Sequence, residues 1–204
     1  MDPALAFRGF ILGFTIAAAV GPISLLVIRR TLAEGRVVGL VSGLGVATAD
    51  GAYGAIAAFG LGAITQALVD ARPILGLAGG AFLLWLAWTT ARAEPHDPAM
   101  MPSRRGGLAG AYLSMLGLTL TNPMTILSFG ALFAGLGVTG GDAAGAALIT
   151  AGVLVGSAAW WVLLTSIVSV ARSRITPTWI RRVNVTSGLV IGAFAVISIA
   201  SVVQ

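Results

Sequence analysis

Charge is almost absent from six long stretches of this chain. Gly9 to Ile28 carries none, and Val37 to Ile64 carries one, Asp50. Pro73 to Ala91, Ala143 to Ala171 and Val183 to Val203 are uncharged, and a further stretch, about Leu108 to Ala134, lies in the uncharged run from Gly106 to Gly141. A helix needs about 20 apolar residues to cross a hydrocarbon core of roughly 30 Å. In lipid, backbone N–H and C=O groups must be satisfied within the segment, so each stretch is expected to be helical. Six such spans fit into 204 residues if the loops are short, and only 9% of the residues are charged, against about 25% in a soluble domain. The expected fold class is an all-α membrane protein with six transmembrane helices.

The remaining composition removes several functions. The net charge is +5, yet all twelve basic residues are Arg and cluster between apolar runs. They form no basic face for a duplex, so nucleic acid is not an expected partner. Without Cys there is no disulfide or thiolate metal site, and without Lys there is neither a P-loop nor a Schiff base. No cofactor and no metal site is expected. Arg8 followed by an apolar run and Ala17-Ala18-Ala19 imitates a cleaved secretory signal. The run continues to Ile28 and ends at Arg29-Arg30, so the segment is read as a retained span.

The arginines orient the spans. Loops one, three and five contain Arg29, Arg30, Arg36, Arg92, Arg104, Arg105, Arg172, Arg174, Arg181 and Arg182, ten of the twelve. The positive-inside rule then places these loops in the cytoplasm and both termini outside. The longest loop, rich in proline at Pro95, Pro98 and Pro102, reads as a linker; His96 within it reads as a solvated loop residue.

That linker, 92–106, separates residues 1–91 from 107–204, and the two parts correspond. Gly21-Pro22-Ile23-Ser24-Leu25-Leu26 in span one matches Asn122-Pro123-Met124-Thr125-Ile126-Leu127 in span four, 101 residues later. A three-span unit repeated once must insert in opposite orientations, because three is odd. The spans are therefore expected to form two inverted-topology three-helix repeats, a plan common to secondary transporters.

Proline inside a helix removes a hydrogen bond and clashes with the carbonyl one turn earlier. The half-helix that follows offers free N–H groups and a positive dipole end, which suits a carboxylate. The plainer alternative is a kink that improves packing. Asp50 is the only acid inside a span, and burying it costs at least roughly 2.5–3.5 kcal/mol on insertion scales. It reads either as a proton-coupling site or substrate counter-charge, or as a neutral side chain in a packing hydrogen bond. Thr48, Tyr53, Ser24, Asn122 and Thr121 are its candidate partners. Gly9/Gly13, Gly39/Gly43, Gly76/Gly80, Gly152/Gly156 and Gly188/Gly192 are spaced for close helix approach, in a compact bundle or a homodimer. Trp85, Trp88 and Trp179 fit an interfacial belt. Trp160-Trp161 do not: one of the pair, taken here as Trp160, could line a cavity, and core or lipid-facing packing is the plainer alternative.

The stretch from Gly21-Pro22 through Arg29-Arg30-Thr31-Leu32, Gly35-Arg36 and Gly39-Leu40 resembles the first signature of the LysE superfamily of amino-acid exporters. So does Asp50-Gly51-Ala52-Tyr53 with Ala58-Phe59-Gly60-Leu61, while Leu118 to Phe129 resembles the second signature. The resemblance covers nearly the whole chain. It implies a six-helix, proton-driven exporter of amino acids or related solutes in a bacterial inner membrane, with Gly21-Pro22, Asp50 and Asn122-Pro123 as motif residues. Where many members carry Lys after the Asn-Pro, this chain has Met124, which takes a charge from the implied site. The expected pathway residues are Gly21, Pro22, Ser24, Asp50, Tyr53, Thr121, Asn122, Pro123 and Trp160. Two alternatives stay open: export of a metal cation or another non-amino-acid solute, and a scaffold or assembly role without transport. A metal has little to bind, with no Cys, no intramembrane His and one acid. An intramembrane protease lacks the second acid or the His it needs, so the protein is not expected to be an enzyme.

Overall fold

The computed structural model describes residues 2–19, 21–60, 70–92, 107–122, 125–126, 128–129, 142–172 and 177–203. Pro123, Met124, His96 and linker residues 93–106 lie outside the described residues, as do the far ends of the expected second and fourth spans. Seven helices account for the described chain: α1 (Pro3–Ala18), α2 (Pro22–Glu34), α3 (Arg36–Ala58), α4 (Arg72–Ala91), α5 (Gly107–Leu120), α6 (Ala143–Arg172) and α7 (Pro177–Val203). No strand occurs among the described residues.

The expected first span is two helices. Asp2 caps α1 by accepting from the Ala4 N–H at 2.9 Å, and α1 stops at Ala18. Gly21 is extended (φ −147°, ψ −170°) and Pro22 opens α2, at the position where its missing N–H costs nothing. The two axes differ by 77°. Pro22 thus starts a helix rather than kinking one, and α2 runs past Ile28 to Glu34, so Arg29 and Arg30 are helical and not in a loop. One residue, Gly35, then reverses the chain with φ 99°, a conformation that strains any residue with a Cβ. α3 folds back along α2 so closely that a Cβ on Gly39 would strike Thr31.

By length and hydropathy, α3 and α6 can each cross a bilayer, and the bent pair α1–α2 is long and apolar enough to count as a third if the two helices form one broken span rather than a re-entrant loop. The 14 residues of α5 reach about 21 Å at 1.5 Å per residue, short of a crossing by themselves.

Packing centres on α6, which lies against α1 and α3, while α3 also packs on α5 and α2, and α4 pairs with α7. Two glycine pairs interlock α1 with α6. A Cβ on Gly9 or Gly13 would run into the backbone of Ile149 or Val153, and one on Gly152 or Gly156 into that of Ala6 or Phe10. Where lipid is as apolar as the side chains, such backbone contact is what makes helices associate. The buried side chains form two clusters, one around Leu26, Val46, Met115 and Trp161, the other around Leu12, Tyr53, Phe129 and Ile149. Outward faces are apolar too, with Val170, Ile74 and Leu189 at least 69% exposed, as a lipid-facing surface requires. Trp85 and Trp88 also face outward, and the Arg92 guanidinium lies 3.5 Å over the Trp88 ring.

Candidate functional site

A cavity of about 230 Å³ opens where the helix breaks meet. Ile16, Ala17 and Ala19 reach it from the end of α1, and Gly21, Pro22 and Ser24 from the start of α2. The end of α5 contributes Thr119 and Asn122, and the helical residues beyond it Thr125 and Ser128. Val46 and Asp50 of α3, Trp161 of α6 and Phe194 of α7 complete the wall. At about 30 Å³ per water, the space equals roughly eight waters, the scale of a small solute.

Both breaks have a hydroxyl that covers a carbonyl the broken helix leaves over. Ser24 Oγ donates to the Ala19 carbonyl at 3.3 Å, and Tyr53 Oη donates to the Leu120 carbonyl at 2.6 Å. Backbone N–H groups of Thr125 and Ile126 reach back to the Asn122 carbonyl at 3.1 and 3.3 Å, so the chain turns helical again directly after the break. The first N–H groups of α2 have no partner one turn earlier within the helix, and Gly21 gives its cap no side chain. This end of α2 is where a helix favours negative charge.

Asp50 is 2% exposed and occupies the same cavity. Its partner is Ser157, whose Oγ donates to Asp50 Oδ2 at 2.7 Å. None of the expected partners makes that bond through a hydroxyl. Thr48 donates to the Leu44 carbonyl and accepts from Tyr112, Tyr53 and Ser24 are engaged as described, and Thr121 donates to the Gly117 carbonyl. Ser157 is the fifteenth of 30 residues in α6, midway along the central helix and fully buried.

Of the residues expected along a pathway, Gly21, Pro22, Ser24, Asp50 and Asn122 line the cavity together. Tyr53 is buried and acts at the α5 break instead. Thr121 is the last turn before Asn122 and lies off the lining, and Pro123 is outside the described residues. Trp160 is not on the wall: its ring meets Phe14 edge-on at 5.4 Å, and its neighbour Trp161 lines the cavity. Sequence reasoning missed Ser157, Thr119, Thr125 and Ser128, and of the Trp160-Trp161 pair it took the residue that is off the wall. Ser157 and Trp161 are four apart on one helix face, a spacing that could have linked them.

No solved structure matches the chain. It is 31% identical over 175 residues to the uncharacterized membrane protein YahN of Escherichia coli (strain K12), covering 83% of this chain and 78% of that protein. The family model of the LysE type translocator matches residues 14–201, nearly the whole chain, including both helix breaks and Asp50. A membrane-embedded bundle with that match over that length belongs to the LysE type translocator family.

Proposed function

We propose that the protein is a secondary active exporter of amino acids or related zwitterionic solutes, coupled to protons and built from two inverted halves, 1–91 and 107–204. One observation carries this reading: both helix breaks and the lone intramembrane acid open on a single cavity. The α2 N-terminus, with its counterpart after Asn122, receives the substrate carboxylate. Asp50 takes either a proton or the substrate ammonium, and exchanging one for the other couples export to proton entry. Ile16, Val46, Trp161 and Phe194 form an apolar part of the wall, a surface for a small hydrophobic side chain, beside the hydroxyls of Thr119, Thr125 and Ser128.

The directions of the packed helices support two inverted halves. In α1 against α6, Gly9 meets Ile149 and Gly13 meets Val153, so numbers rise together and the helices are parallel. For α3 against α5, Gly45 meets Tyr112 and Tyr53 meets Leu120, again parallel. Between α3 and α6, Gly43 meets Trp161 and Gly54 meets Val153, and between α4 and α7, Gly80 meets Ile199 and Gly188 meets Ala91, both antiparallel. Exchanging spans one, two and three with four, five and six leaves this pattern unchanged. A two-fold axis in the membrane plane generates that exchange.

Arg36 donates to Ser166 at 2.9 Å, which puts the α2–α3 turn beside the later part of α6. Arg30 reaches Ala111 and Ser114 early in α5. The α2–α3 turn, the start of α5 and the later part of α6 therefore share one end of the bundle. In a bacterial inner membrane the arginine bias makes that end cytoplasmic and puts both termini on the periplasmic side. A metal-cation cargo is the weaker reading, because Asp50 is the only acid among the described lining residues.

The test loads cells with dipeptides, with and without the gene, and measures each amino acid outside. Faster release of one or a few is expected; equal release of all of them defeats the reading. In proteoliposomes, D50N is expected to abolish proton-linked export, and proton-coupled export by a folded D50N protein would remove Asp50 from the coupling.

A further inference from the structure

Arg30 is a charged side chain buried in the bundle, 5% exposed. One guanidinium nitrogen donates to Ser42 Oγ at 2.9 Å and to the Ala111 carbonyl at 2.9 Å. The other donates to Ser114 Oγ at 2.8 Å. Ser42 is on α3, whereas Ala111 and Ser114 are on α5. The fork therefore ties the α2–α3 hairpin of the first half to the opening helix of the second.

Its level along the bundle matters. Arg30 is eight residues beyond Pro22, about 12 Å along α2 from the cavity at 1.5 Å per residue, and it lies on the side of loop one. Between it and the cavity is a packed layer that includes Val27, Leu26 and Met115, each 2% exposed or less. Gly39 against Thr31 holds the two arms of the hairpin together, so α2 and α3 would move as one piece. A repeat offset of 101 residues puts Ala131 opposite Arg30 in the second half, so the matching position there cannot form a charged tie.

We propose that Arg30, through Ser42, Ser114 and the Ala111 carbonyl, is an inter-half latch that holds the loop-one end of the cavity shut and biases the transporter toward facing the other side. The latch rests on the two-half transporter reading above. Opening the loop-one end requires α2–α3 to leave α5, and so breaks these hydrogen bonds. Because the position matching Arg30 is Ala131, no guanidinium there opposes this tie, and the two facing states are unequal in energy without cargo.

The chain has no Cys, so a single reporter can be added cleanly. V46C places a thiol on the cavity wall just beneath the packed layer. It is labelled with a charged, membrane-impermeant maleimide in vesicles of each orientation. Adding R30Q is expected to speed labelling from the loop-one side by about tenfold, the effect of losing one hydrogen bond to a charged group, and to slow it from the opposite side. An unchanged rate at the loop-one side overturns the latch. Faster labelling from both sides also overturns it, because general loosening would do that. If R30Q does not reach the membrane, S114A carries the test, with a smaller shift of the same sign expected and no shift overturning the proposal. Labelling needs no cargo, so its outcome is separate from transport: amino acids that never alter it count against the exporter reading alone.

Discussion

Asp50 and Ser157 lie 107 residues apart and meet at 2.7 Å in the middle of the bundle. A hydrogen bond contributes about 0.5–1.5 kcal/mol between neutral groups and about 1.5–3 kcal/mol to a charged one, so this one can set how the carboxyl is held toward the cavity. S157A is expected to lower the initial export rate roughly tenfold while folded protein stays near the parent level by size-exclusion fluorescence. A parent-like rate would mean that Ser157 does not position the acid. Y53F should act differently, leaving the Leu120 carbonyl without its donor at a cost of about 1–3 kcal/mol. Its readout is thermal unfolding in detergent, where a drop of several degrees is expected. Asp50 was legible in the sequence because an acid inside an apolar run is costly and conspicuous. Ser157 was not, since a serine in a transmembrane helix can bond its own backbone, as Thr165 and Ser166 do here. Choosing Trp160 over Trp161 failed for a related reason. Successive helical residues point about 100° apart, and α6 is apolar around its circumference, so hydropathy does not reveal which face turns inward.

Among the elements, α1 and α6 depend on each other's glycines. G13A or G156A puts a methyl group into the partner's backbone, and the helices can accept it only by separating. Either substitution should sharply reduce the monodisperse folded fraction, whereas G117A, which meets nothing within 4 Å, should leave it unchanged or raise it. Equal behaviour of the three variants would show that close approach is not what joins α1 to α6. The small-residue spacing made this contact foreseeable as a contact but did not name the partner. Several helices carry the same pattern, and only the fold matches Gly9/Gly13 with Gly152/Gly156. Pro22 taught a similar lesson. Its ring and missing N–H predicted an interruption, but the 77° turn came from where α2 could pack, against α3.

For the whole molecule, the arrangement of parallel and antiparallel pairs makes a prediction about sidedness. Cysteines added singly near Ala4 and near the end of α7 should both be labelled from outside intact cells, and cysteines at Arg36 and Leu108 only from inside. One terminus on each side would break the two-fold plan. Membership of the LysE type translocator family was readable from the two proline signatures and Asp50, and the family model spans the same ground.

What the sequence by itself determined was the solvent and the building material: charge-poor runs must lie in lipid, lipid demands helices, and proline interrupts a helix anywhere beyond its first turn. These are local consequences of backbone hydrogen bonding and transfer energy, so they can be read one segment at a time. The tertiary structure decided what faces what. It brought Gly21, Pro22, Asp50 and Asn122 onto one cavity, supplied Ser157 to the acid, and drew Arg30 out of an apparent loop into a bond between α2, α3 and α5. Such pairings depend on the rotation and depth of each helix. In a chain whose helices are apolar on nearly every face, only close packing against particular neighbours fixes both.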